Sequence, residues 1–139
     1  MSTMIVYLSA TILVFISLIH VYWAFGGRWG SRAALPQKKG GATVFRPRML
    51  ETLAVALIIL GVCVVLLAQS ETLSILQANS FTKWSCILCG AVFLIRAIGD
   101  FKYLGFFKRI KDTTFSVYDT RFYSPLCLFL ALSFVLALI

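Results

Sequence analysis

The chain carries very little charge. Of its 139 residues only 13% are Asp, Glu, Lys or Arg, only five of them are acidic, and there is one histidine. These absences narrow the function at once. A metal site needs more ligands than the lone His20 and a distant pair of cysteines supply. Nucleic-acid binding needs a basic patch on a water-exposed fold, and none is evident. No Lys or Arg precedes the first apolar run, whereas Arg28 and Arg32 follow it, so that run reads as a retained helix and not as a signal peptide. No internal repeat, low-complexity tail or separate soluble domain interrupts residues 1–139, which read as one domain.

What is present is apolar. A composition that is 60% hydrophobic exceeds what a soluble domain of this length can hide in its interior, so the remaining solvent is lipid. Backbone N–H and C=O groups in lipid must pair within the segment or in a closed barrel. The long unbroken apolar runs, in place of short alternating strands, select helices. Four spans are expected, at about 4–25, 49–69, 84–103 and 123–139, each near the ~20 residues that cross a bilayer. The predicted fold is all-α: an integral membrane four-helix bundle with connections at 26–48 and 104–122. Ser124 and Pro125 read as the N-cap and first residue of the last helix.

Charge sets the expected orientation. The first connection holds Arg28, Arg32, Lys38, Lys39, Arg46 and Arg48, the third holds Lys102, Lys108, Arg109, Lys111 and Arg121, and the second has only Lys83. Short loops rich in Lys and Arg stay on the cytoplasmic side, which places both termini outside the cell membrane. The stretch 101–111 interleaves aromatics with basic residues and suits the headgroup boundary, and membrane lipids are the expected partners of these loops.

The polar residues on the helices then gather at one depth. His20 and Trp23 end the first span, Glu51 begins the second, Arg96 and Asp100 end the third, and Asp119 and Tyr123 precede the fourth. Ionisable groups beside transmembrane segments are costly and tend to face partners, cavities or substrate paths. Arg96 and Asp100, four apart on a helix extending to 103, should pair. Ser9, Leu13, Ser17 and His20 share a face of the first helix. Ala54, Gly61 and Ala68 form a small-residue seam on the second that would allow close helix approach, including in a homodimer. Each residue also has a structural reading. Glu51 can cap its helix, Arg96 can snorkel to the headgroups, and Asp119 can belong to a loop or a cap.

Cys86 and Cys89 form a Cys-x-x-Cys in the third span. It can be a redox dithiol or simply two small apolar side chains.

Several blocks together resemble a bacterial family of small four-helix membrane proteins, domain of unknown function 3995. They are His20-x-x-Trp23-x-x-Gly26-Gly27-x-Trp29-Gly30, Phe45-x-Pro47, Arg96-Ala97-x-Gly99-Asp100-Phe101-x-Tyr103-x-Gly105-Phe106-x-Lys108, and Asp119 with Tyr123-Ser124-Pro125-Leu126-Cys127. The resemblance implies four helices in a bacterial cytoplasmic membrane. The Cys-x-x-Cys lies outside the family pattern.

Several functions follow as expectations. One is a binding or catalytic site at the inner membrane face for a lipid-like molecule. In that site His20, Asp100 and Glu51 act as acid/base groups, and Trp23, Arg96, Asp119 and Tyr123 line the pocket. Others are a structural or accessory subunit, an oligomeric transporter, and a thiol oxidoreductase using Cys86 and Cys89. The middle of the helices lacks ionisable groups, which weighs against an ion relay. No cofactor is indicated.

Overall fold

The computed structural model describes residues 2–139. Four of its helical stretches are long and apolar enough to cross a membrane. They are α1 (Ser2–Ala24), α3 (Met49–Gln69), α4 (Ser80–Ile98), and a continuous run formed by α5 (Thr114–Tyr118), a π-helical turn (Asp119–Tyr123) and α6 (Ser124–Leu138). A one-turn helix, α2 (Ser31–Ala34), lies in the first connection. No strand occurs among the described residues, apart from a single antiparallel bridge between Gln37 and Thr43.

Three boundaries differ from expectation by more than two residues, for local reasons. The third span begins at Ser80 because Asn79 caps it. The Asn79 side chain accepts from the Thr82 N–H, and the Thr82 hydroxyl oxygen accepts from the Asn79 N–H, the reciprocal arrangement of a capping box. It ends at Ile98 because Gly99 turns to φ 90°, a conformation glycine adopts without steric cost. Asp100 is therefore off the helix. The fourth span starts nine residues earlier than expected, at Thr114, where the side chain of Thr113 caps α5 by accepting from the Ser116 N–H. Ser124 is not an N-cap. It lies inside the helix, and its N–H donates five residues back to the Asp119 carbonyl. Pro125 has no N–H for the Arg121 carbonyl, and its ring crowds that oxygen. A widened turn just before it keeps the chain helical.

The core sits toward the chain-terminal end of the bundle. Val6, Ala10 and Leu13 of α1 meet Cys63 and Leu66 of α3, Cys86 of α4, and Leu130 and Phe134 of α6. Polar side chains stitch the helices inside this layer. Ser9 and Ser133 hydroxyls bond at 2.6 Å, and Ser17 donates to the Ala56 carbonyl at 2.8 Å. Such bonds each contribute about 0.6 kcal/mol in a membrane. The α3 face that packs inward is Thr52, Ala56, Cys63, Leu66 and Ala68. Of the small-residue seam only Ala68 is buried; Ala54 and Gly61 face outward, and open space surrounds Gly61. Within one chain the seam as a whole is thus not the packing face.

At the opposite end, the first connection is tied to the start of the fourth span. The Tyr123 hydroxyl donates to the Ala33 carbonyl at 2.9 Å, and the Phe115 N–H reaches the Gln37 side-chain oxygen at 3.4 Å. This loop end holds the polar residues that the sequence placed at a common depth.

Candidate functional site

The polar rim is two sites and not one. The first is a closed knot around Asp119, which is fully buried. The π-turn and Gly105 bring its carboxylate into reach of four donors. Oδ1 accepts from Arg96 Nη2 at 2.9 Å and from the Ser124 hydroxyl at 3.3 Å; Oδ2 accepts from the Gly105 N–H at 2.7 Å and from Lys108 Nζ at 3.1 Å. Lys108 is buried as well, and its ammonium also donates to the Gly105 carbonyl and the Thr120 hydroxyl. Three donors thus meet three acceptors, which is the full capacity of an ammonium. A buried carboxylate saturated by two cations is costly to open, because removing one partner strands an uncompensated charge. Arg96 keeps one nitrogen, Nη1, buried and without a partner.

The expected Arg96–Asp100 pair does not form, since Gly99 ends the helix between them. Asp100 instead organises the connection that follows. Its Oδ1 accepts the backbone N–H groups of Lys102, Tyr103 and Leu104 at 2.8–3.0 Å. Desolvation pushes its carboxyl upward, but these backbone donors outweigh it and hold the carboxyl below its ordinary value. Gly99 and Gly105 face each other across this turn, both at positive φ; a Cβ on Gly99 would collide with the Leu104 carbonyl, and one on Gly105 with the Ile98 carbonyl. Tyr123 is spent on the tether to Ala33.

The second site is an open cleft of about 1350 Å³, between the loop ends of α1 and α3 and the first connection. Its walls include His20, Trp23 and Glu51, together with Arg28, Arg32, Arg46 and Asp112. Three of the seven rim residues therefore line one cavity. Arg96, Asp100, Asp119 and Tyr123 do not line it.

His20 is placed by its own helix. Nδ1 lies 2.7 Å from the Ile16 carbonyl and the ring meets Trp23 edge-on at 5.2 Å. A carbonyl only accepts, so Nδ1 carries the proton and Nε2 of the neutral ring is the basic nitrogen. Trp23 is fixed by its indole N–H, which donates to the Trp29 carbonyl at 2.8 Å. Glu51 caps α3, accepting the Arg48 N–H at 2.9 Å. The three arginines and the two carboxylates leave one net positive charge on the cleft wall, 3 − 2 = +1.

Residues 13–134 match the model of a family described as "Protein of unknown function (DUF3995)". The chain belongs to this family. No curated protein and no solved structure matches it. The stretch matched to the family model takes in the whole knot and the whole cleft, but leaves out the first three turns of α1, where Val6 and Ala10 pack the terminal core.

The Cys-x-x-Cys is not at either site. Cys86 is fully buried and its thiol lies 3.4 Å from the Phe134 carbonyl, as a weak donor into α6; Cys89 is half-buried, and all four cysteines are free. Among the described residues, no group of three or more His, Cys, Asp or Glu side chains could hold a metal ion.

Sequence reasoning overlooked Lys108, reading it as one more interfacial charge. The only signal for its burial is its three-residue distance from Gly105, the glycine whose N–H shares the same carboxylate. The cleft arginines read, in sequence, as charges that set orientation and attract lipid headgroups, and not as one cluster. Their convergence depends on the folding of the first connection, where Gly40 and Gly41 reverse the chain and Lys38 N–H donates to the Ala42 carbonyl.

Proposed function

We propose that this small membrane protein uses the His20 cleft to bind an amphipathic, lipid-like molecule with an anionic head. The observation that carries the reading is the convergence of Arg28, Arg32 and Arg46 with His20 and Trp23 on one large cleft at the membrane boundary. Guanidinium groups suit carboxylate and phosphate through paired N–H donors, and an indole suits the junction of headgroup and acyl chain. The abundance of Lys and Arg in the two connections at this end supports placing the cleft on the cytoplasmic side of the cell membrane, with both termini outside.

If the bound molecule is transformed, His20 Nε2 is the group we assign to proton transfer, because Nδ1 is committed to Ile16. Glu51, held at the helix cap, is the carboxylate in the same cleft. Arg96, Asp100, Asp119 and Tyr123 then serve as the frame.

Native mass spectrometry of the protein released from its membrane in mild detergent tests this reading. The expected result is a retained anionic lipid-sized adduct that the double variant Arg32→Gln/Arg46→Gln loses while staying folded. An adduct-free wild type, or equal retention in both, overturns it. A second reading, an accessory subunit, is favoured by the closure of the Asp119 knot, which locks helices without leaving a cavity. It requires that a partner protein, and not a lipid, is lost from the purified material when the cleft is altered.

A further inference from the structure

We infer that the connection between α4 and α5 is an anchor to an anionic membrane surface. In this arrangement Phe101, Phe106 and Phe107 sink into the headgroup layer of the protein's own bilayer, and Lys102, Arg109 and Lys111 hold it to negatively charged lipid.

The first support is that the connection is ordered yet presents its phenylalanines outward. Asp100 fastens its start through three backbone N–H groups. The Phe106 N–H donates to the Ala97 carbonyl at 2.9 Å and the Ile110 N–H to the Lys102 carbonyl at 3.0 Å, while Lys108 pins the middle to Asp119. Despite this framework Phe101 is 57% exposed and Phe107 is 62% exposed. Their rings meet each other at 6.3 Å.

The second support is conformational. Phe101 sits at φ 64°, a region costly for a bulky side chain and natural to glycine. Within the chain its side chain gains one ring contact and little burial. A phenylalanine held at such a backbone position gains its burial from outside the chain.

The third support is position and charge. Phe101 follows the last residue of a spanning helix, Ile98, by three residues, a reach of roughly 10 Å at most. That distance keeps the connection within or beside the headgroup layer. Lys102, Arg109 and Lys111 of the same connection are all exposed. A basic residue near an anionic surface is worth up to roughly fivefold in binding. The bilayer is thus the occupant with both the apolar depth and the charge for this surface. This inference rests on residues 101–111, none of which lines the His20 cleft, and does not depend on a ligand there.

The test uses the whole protein in lipid nanodiscs, with phosphatidylcholine alone or mixed with phosphatidylglycerol. Phe107→Cys and, as a second reporter, Phe101→Cys are labelled with a charged, water-soluble maleimide, and Lys39→Cys at the tip of the first connection is the reference. The native cysteines lie buried or half-buried in the spans. In the mixed bilayer both reporters should react on the order of tenfold more slowly than the reference. High salt or Arg109→Gln should restore up to roughly fivefold of that rate. Reporter rates equal to that of Lys39→Cys overturn the anchor. Slow labelling that ignores phosphatidylglycerol, salt and Arg109→Gln overturns the anionic assignment.

Discussion

The knot at Asp119 and the cleft at His20 lie at the same end of one small bundle, yet they treat charge in opposite ways. The knot removes a carboxylate from solvent completely and surrounds it with donors, until both oxygens are saturated. The cleft leaves its arginines on an open wall and ties down the other polar groups by their backbone-facing ends only. A charge that is fully answered within the chain is a fastener. A charge left facing an open volume can meet something that is not the chain. Residue type alone, Arg and Asp in one place and Arg and His in the other, does not make this distinction; the number of remaining partners does.

The comparison can be broken at its strongest point first. Asp119→Asn keeps the shape but leaves the buried Lys108 ammonium and the Arg96 guanidinium without their anion. It should cost about 3–5 kcal/mol, the usual penalty for halving a buried ion pair. Reversible unfolding in mixed micelles measures it, and a cost near zero would show that the knot is not a fastener. Gly105→Ala comes next. It forces a side chain toward the Ile98 carbonyl at a positive φ, and a loss of about 1–3 kcal/mol is expected in the same assay.

Asp100 offers a finer contrast through pH. Its carboxyl is held below its ordinary value in the folded protein, so the unfolded chain binds that proton more readily. The stabilisation is fully present above about pH 4 and drains away as the pH falls through the lower folded value. Wild-type protein should therefore lose more thermal stability between about pH 6 and pH 3 than Asp100→Asn does. Equal losses would mean that the three backbone bonds do not depend on charge. The smallest effect on stability belongs to the cleft: Arg32→Gln/Arg46→Gln, altering two exposed side chains, should shift unfolding by no more than about 0.5 kcal/mol per site. Thermal melts of that double variant separate a lost ligand from a lost fold.

Much of this architecture is written locally in the chain. The second span was placed at its observed limits, and the first within two residues, because apolar length and flanking glycines or charges are local signals. Asp100 shows where such reading stops. A helical pattern continued past Gly99 puts Arg96 and Asp100 on one face, and only the left-handed turn at that glycine, closed against Gly105, takes Asp100 away. Asp119 fails in the opposite direction. Read as part of a loop because Ser124-Pro125 resembles a helix start, it lies instead inside a helix that passes the proline by widening. Neither the knot nor the cleft could be assembled from periodicity, since each joins segments whose relation is set by tertiary contacts.

The two bonds that tie the first connection to the fourth span also constrain how the protein is made. Ala33 waits for a hydroxyl 90 residues further along the chain, and Gln37 for a backbone N–H 78 residues further. During synthesis, α1 and α3 can enter the membrane and pair while the segment between them still lacks both of its fastenings. That segment acquires its final shape only after the Tyr123 region has left the ribosome and the last helix has begun to insert. Assembly of the cleft is therefore a late event in biogenesis, and a chain interrupted before Thr114 would carry paired helices but an unfinished cavity.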